Sequence, residues 1–272
     1  MKARVCALGL ALLFALPAGG HAAAIVGGFN GNTLAPNDDN STGLVDIGFE
    51  ANFFGMTFSQ LYVNNNGNVT FGSPLAAFTP FDLTSTGRQI IAPFFADVDT
   101  RMAGDPVTFG MGVFDGRGAF GVNWINVDYF SSSETHTSRN SFQLILVDRS
   151  DVAPGDFDFI FNYDQIQWET GTFSGGDVNG LGGNSARVGF SNGTRDPGTF
   201  FELFGSAING AFLDGGPNAL VSNRLNSDVD GRYVFSARSG GVAVDASPVP
   251  APATIGLLGI GLLGLAAIRR RG

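Results

Sequence analysis

The chain has 272 residues and a formal net charge of −9. Between Asp38 and Asp245 ten arginines stand against all 24 acidic residues, a balance of −14, while the sole lysine and sole cysteine, Lys2 and Cys6, lie at the N-terminus. A field of that sign excludes nucleic acid and anionic lipid as partners, because binding them needs basic groups, and one cysteine with two histidines excludes cysteine-rich zinc centres.

The chain opens with the basic stretch Met1-Lys2-Ala3-Arg4, an apolar run from Val5 to Pro17 and small residues up to Ala24. That order is the pattern of a secretory signal peptide, expected over residues 1–24, and the run is too short to cross ~30 Å of hydrocarbon. Residues 25–238 read as strand after strand. They are rich in Phe, Val, Ile, Gly and Asn and have no 15-residue stretch with helical periodicity.

Gln60 to Val63 and Val69 to Phe71 flank Asn64-Asn65-Asn66-Gly67-Asn68, whose Asn-Gly pair predicts a tight hairpin. Ile90 to Phe95 and Val107 to Phe114 are further strands. From Phe120 to Phe130 the apolar phase switches parity, which a β-bulge near Trp124 would restore to one face. Ser141 to Val147 is apolar on both faces and is expected at the sheet centre. Asp156 to Asp164 alternates aromatics with polar residues, predicting one buried and one largely wet face. Gly171 to Ser185 reads as a long surface loop, followed by strands at Ala186 to Phe190, Phe200 to Phe204 and Arg232 to Ser236. Many short strands with Gly/Asn turns predict an all-β fold: one antiparallel β-sandwich-like domain.

Six segments in order resemble the nidogen-like extracellular domain. They are Asn37 to Ser41, Leu61 to Phe71, Ile91 to Asp99, Asn140 to Leu146, Phe161 to Glu169 and Val188 to Gly193. The resemblance implies an extracellular protein linked to cell–matrix adhesion, with no catalytic residues to carry over. The cysteine-rich modules of the family's animal members are absent from this chain.

Residues 239–254 read as a Gly/Ala/Ser/Pro tether that ends in a Pro-rich motif carried by Val249, Pro250, Pro252 and Ala253. Residues 255–268 carry no charge and are expected to form a short transmembrane helix, and the basic tail at residues 269–272 holds Arg269, Arg270 and Arg271 on the cytoplasmic side. Fourteen helical residues cover only ~21 Å, a poor permanent anchor. Pro-rich motif, short apolar segment and terminal arginines together resemble the PEP-CTERM sorting signal, with Ala251 where that family usually has glutamate. The resemblance implies an exosortase-type enzyme as partner and transient anchoring in the inner membrane, then release to the cell surface or matrix.

No constellation in the chain has the form of a catalytic centre, and the chain reads as a non-enzyme. His136 lies in a polar stretch with no nucleophile-elbow motif and reads as a solvated loop residue. The pairs Asp97/Asp99, Asp156/Asp158 and Asp228/Asp230 have the i, i+2 spacing that a glycoside hydrolase could use, but chance pairs are expected among 24 acids. Trp124, Trp168, Tyr129 and Tyr163 could stack on exported polysaccharide as a carbohydrate-binding module, although burial in the core is the commoner fate of such residues. No cofactor is required by this reading. One cation is a candidate: Asp38 and Asp39, in a turn-rich segment, could meet Asp97 and Asp99 to hold calcium, which takes six to eight oxygens. The alternative is that Asp38, Asp39 and Asn40 bond their own backbone in turns. The expected role is that of a surface or matrix protein in cell–matrix adhesion or a biofilm matrix.

Overall fold

The computed structural model describes residues 24–132 and 136–244. The stretch expected to be a signal peptide (but for Ala24), the sorting motif, the segment expected to be a transmembrane helix and the basic tail lie outside them. Among the described residues no helix is long and apolar enough to cross a membrane.

Among the described residues fourteen strands build two antiparallel sheets. In chain order they are β1 (Asn32–Thr33), β2 (Val45–Phe53), β3 (Met56–Asn64), β4 (Asn68–Thr70), β5 (Gln89–Phe95), β6 (Val98–Asp99) and β7 (Thr108–Phe114), then β8 (Arg117–Tyr129), β9 (Asn140–Asp148), β10 (Phe157–Ile166), β11 (Arg187–Asn192), β12 (Phe200–Glu202), β13 (Arg232–Arg238) and β14 (Gly241–Ala243). One sheet runs β1-β7-β8-β9-β10-β13-β14, with β6 also paired to β8; the other runs β12-β11-β5-β4-β3-β2. The two inner faces share one core, in which Phe53, Val63, Ile91, Phe94 and Phe190 of the smaller sheet meet Trp124, Phe142, Phe159 and Phe235 of the larger. This is the sandwich that the strand pattern predicts. β9 is central, between β8 and β10, and its pairing with β8 slips between Trp124 and Val127, where Asn126 takes φ 54°. The bulge therefore sits where the parity of the sequence changes.

Two expectations need correction. The polar side of β10 is not wet: Asp158, Ile160 and Asn162 are all buried. The N-terminal segment crosses this outer face, with Gln143 Nε2 donating to Val26 O (2.7 Å) and Arg232 to Ala24 O (2.8 Å). Phe29 then packs with Ala119, Ile145, Val147 and Ile160. Gly121 makes room for it, since a Cβ there would lie 2.3 Å from Phe29 Cγ. The loop from Gly171 to Ser185 is the surface loop expected, held to the core at a few points. Thr172–Ser174 forms a 3₁₀ turn, and Gly180 lies against Trp168 and Tyr129. Second, the tether expected from residue 239 starts later, because Gly241–Ala243 pairs with β13. Local patterning could not reveal the cover of β10, since that segment comes from a distant part of the chain.

Glu169, fully buried just after β10, ties the loop at residues 210–212 to the core. Its carboxylate accepts from Gly210 N (2.6 Å) and Phe212 N (2.7 Å). Burial raises its pKa, and the two backbone donors oppose the rise. Glu169→Ala is expected to cost roughly 2 kcal/mol or more in a denaturant melt, because it strands those N–H groups. Glu169→Gln keeps one acceptor and should lose less. Equal stability of Glu169→Ala and wild type would contradict the clamp.

Candidate functional site

The hairpin at residues 64–68 organises the best-defined polar site. Asn64 pairs with Asn68 across a three-residue loop, Asn65 to Gly67, and only Gly67 takes a left-handed conformation (φ 71°). This is the hairpin expected, with one residue more than a two-residue Asn-Gly turn. All five residues are buried, so their polar groups must find partners inside the protein. Asn65 Nδ2 donates to Asp38 O and Val98 O, both at 2.6 Å. Asn66 Nδ2 donates to Asp39 Oδ1 (2.8 Å), while its Oδ1 accepts from Val98 N (2.9 Å). Trp124 Nε1 donates to Asn65 O (2.9 Å), anchoring the loop to the core. The segment at residues 37–40 is thereby pinned between the hairpin and β6, with Asn37 N donating to Thr100 Oγ1 (2.9 Å).

This scaffold gathers three carboxylates. Asp38, Asp39 and Asp97 each offer an oxygen, and these atoms lie within 4.8 Å of one another. Asp97 is only 2 % exposed. Asp38 Oδ1 and Asp97 Oδ2 are buried and accept no hydrogen bond among the described residues. Burial, reinforced by the charges of Asp38, Asp39 and Asp99 and opposed by Arg101, pushes Asp97 up to about 8. Asp38 rises to about 6, through burial first and then Asp99 and Asp39, again opposed by Arg101.

Asp99 borders this cluster but is taken up by Arg101. Arg101 occupies both its oxygens, with Nε to Oδ1 at 2.9 Å and Nη2 to Oδ2 at 2.7 Å, and also reaches Asp38 Oδ2 at 2.9 Å. The turn alternative named Asp38, Asp39 and Asn40, but the side chain that bonds the local backbone is that of Asn37, whose Oδ1 accepts from Asn40 N at 2.8 Å. The carboxylates of Asp38 and Asp39 turn instead to Arg101 and Asn66. Sequence reading missed Asn65, Asn66, Arg101 and Gly171 as parts of the site. The run of four asparagines from Asn64 to Asn68 was the available signal, because buried amides imply a network.

The other candidates are placed as follows. His136 is not a solvated residue: its side chain is 11 % exposed, Nε2 lies 2.6 Å from Asp128 Oδ1, and its ring packs on Tyr129. Arg139 Nη1 bonds the same Asp128 oxygen at 3.2 Å. Asp128, Tyr129 and His136 border a cavity of about 460 Å³ that Arg101 and Ser131 also line. Asp158 is clamped by Arg149 (2.7 Å) and Arg238 (2.5 Å), and Asp156 accepts from Ser239 N (2.7 Å). Asp230 pairs with Arg224. Trp124, Trp168, Tyr129 and Tyr163 are all buried in the core.

Comparison with known proteins accords with this geometry. The family model for the nidogen-like domain matches residues 59–239, and that for the PEP-CTERM protein-sorting motif matches residues 248–271. Alpha-tectorin of Mus musculus is 35% identical over 223 residues, covering 73% of this chain and 10% of that protein. Alpha-tectorin of Homo sapiens is 34% identical with the same coverage. Nidogen of Drosophila melanogaster is 26% identical over 228 residues, covering 74% of this chain and 15% of that protein. The chain thus spans only about a tenth of the length of the first of these relatives. No solved structure matches it. On the domain match and on the alpha-tectorin identity, the chain belongs to the nidogen-like domain family and carries a PEP-CTERM protein-sorting motif behind that domain.

Proposed function

We propose that this is a non-catalytic exported protein of the cell surface or extracellular matrix, acting in cell–matrix adhesion or within a biofilm matrix. Its family membership and its sorting motif support that reading. The observation that carries it is the fate of the candidate aromatic residues and of most of the paired acids outside the Asp38–Asp39–Asp97 cluster. Asp156, Asp158 and Asp230 are spent on arginine clamps and backbone donors. Trp124, Trp168, Tyr129 and Tyr163 lie in the core and offer no stacking surface to a sugar. The geometry therefore disfavours the carbohydrate-binding and glycoside hydrolase readings. A deletion strain compared with wild type for biofilm mass and cell fractionation tests the role. Unchanged biofilm and surface composition would refute it.

In the same reading an exosortase-type enzyme takes the tail after transient anchoring. Intact-mass measurement of the exported protein is expected to find the chain shortened beyond the motif around Val249, Pro250, Pro252 and Ala253. Replacing Arg269, Arg270 and Arg271 by alanine should leave uncut protein in the membrane fraction, because the positive stop that orients the segment is lost. Stable full-length wild-type protein in the inner membrane would overturn processing in favour of a plain anchor.

A further inference from the structure

We infer that Asp38, Asp39 and Asp97 form a calcium site, with the ion seated between the segment at residues 37–40 and the chain at Asp97, just before β6. The inference stands apart from the adhesion and matrix reading. Its first support is composition. Three carboxylate oxygens within 4.8 Å of one another, with no His or Cys beside them, are hard ligands suited to a hard cation. Ligands on one calcium at ~2.3–2.6 Å can stand up to about 5 Å apart, so the spacing of each pair of these oxygens suits one ion.

The second support is independent of the acid count. Asp97 is 2 % exposed, and its Oδ2, like Asp38 Oδ1, is buried with no donor among the described residues. A buried carboxylate oxygen normally has a hydrogen bond or a cation. The nearby cation does not fill the need. Arg101 gives its Nε and Nη2 to Asp99 and touches only the other oxygen of Asp38. Four carboxylates, Asp38, Asp39, Asp97 and Asp99, thus face one guanidinium.

The third support is pre-organisation. Asn65 and Asn66 hold the segment that carries two of the ligands. Gly171 closes over the third: a Cβ there would lie 2.0 Å from Asp97 Oδ2. The acid is therefore held in place before any ion arrives, and little ordering entropy opposes binding. Water and backbone oxygens would complete the shell that calcium requires.

The test uses the exported protein stripped with chelator. Calorimetric titration with calcium chloride should give one ion per chain. A hundredfold excess of calcium over its Kd should raise Tm by roughly 5–10 °C through mass action. Asp97→Asn should abolish both the binding and the rise. Its Tm in chelator should equal or exceed that of wild type, since the amide removes a buried charge from an acidic cluster. Asp39→Asn, at a more accessible position, should weaken affinity at least tenfold and carries the test should Asp97→Asn fail to fold. Asp115→Asn, whose side chain is 84 % exposed elsewhere, should bind as wild type does. Identical melting in calcium and in chelator, an undiminished response in Asp97→Asn, or an equal response to magnesium would each overturn the assignment.

Discussion

Gly67→Ala is expected to be among the most damaging single substitutions in this domain, lowering Tm by more than about 10 °C, whereas Gly55→Ala should lower it only slightly. Both glycines sit in hairpin turns with positive φ, 71° and 82°. An alanine therefore meets a similar conformational penalty at each, roughly 1–2 kcal/mol. The surroundings differ. A Cβ at Gly67 would lie 1.7 Å from the carbonyl oxygen of Phe94, while a Cβ at Gly55 meets nothing within 4 Å. The obstacle at Gly67 is backbone of β5, so no rotamer change relieves it. Relief requires the hairpin to lift, which would break the bonds from Asn65 and Asn66 to the segment at residues 37–40. The sum exceeds about 4 kcal/mol, the range of exceptional destabilisation. Thermal melts of the two variants decide the matter, and coincident curves would show that the hairpin tolerates displacement.

Phe159→Ala is expected to cost about 3–5 kcal/mol, the usual range for emptying an aromatic from a core. In a domain of this size that is a fall in Tm of roughly 6–20 °C. Phe159 is fully buried, stacks on Phe235 of the neighbouring strand β13 at 4.9 Å, and meets Phe190 of the opposite sheet edge-on at 5.3 Å. Its loss opens a cavity on the seam between the sheets, where rigid strands on both sides resist collapse. Phe204→Ala is the matched control. That ring is 75 % exposed, so its loss should change stability by no more than about 0.5 kcal/mol. Chemical denaturation measures both. A Phe159→Ala variant within 1 kcal/mol of wild type would mean that the two sheets do not share a packed interior.

The two predictions bear on different parts of one design. The aromatic seam holds the sheets together, and the asparagine hairpin uses that rigidity to place acids. Trp124 connects them, since its ring stacks with Phe142 in the core while its indole N–H holds the Asn65 carbonyl. A loss of core packing near Trp124 should therefore loosen the acidic cluster as well, even though no ligand residue has changed.

Much of the fold was legible in the chain. Period-two patterning marked β10, the parity switch marked the bulge in β8, and the all-apolar run marked β9 as central. Those signals are local: a strand's own residues report which of its faces is dry. Family membership was legible for the same reason, since six short motifs and a tripartite tail each sit within a few residues. What the chain could not reveal is which distant segments cover an outer face or complete a charge. The polar face of β10 looked wet because its cover, residues 24–29, lies more than 120 positions away. His136 looked solvated because nothing near it in sequence announces Asp128. Asp97 and Asp99 looked equivalent, two residues apart on one strand end. Only the tertiary structure separated them, turning Asp99 to Arg101 and leaving Asp97 buried beside Asp38 and Asp39, because carboxylates compete for positive charge through space and not along the chain.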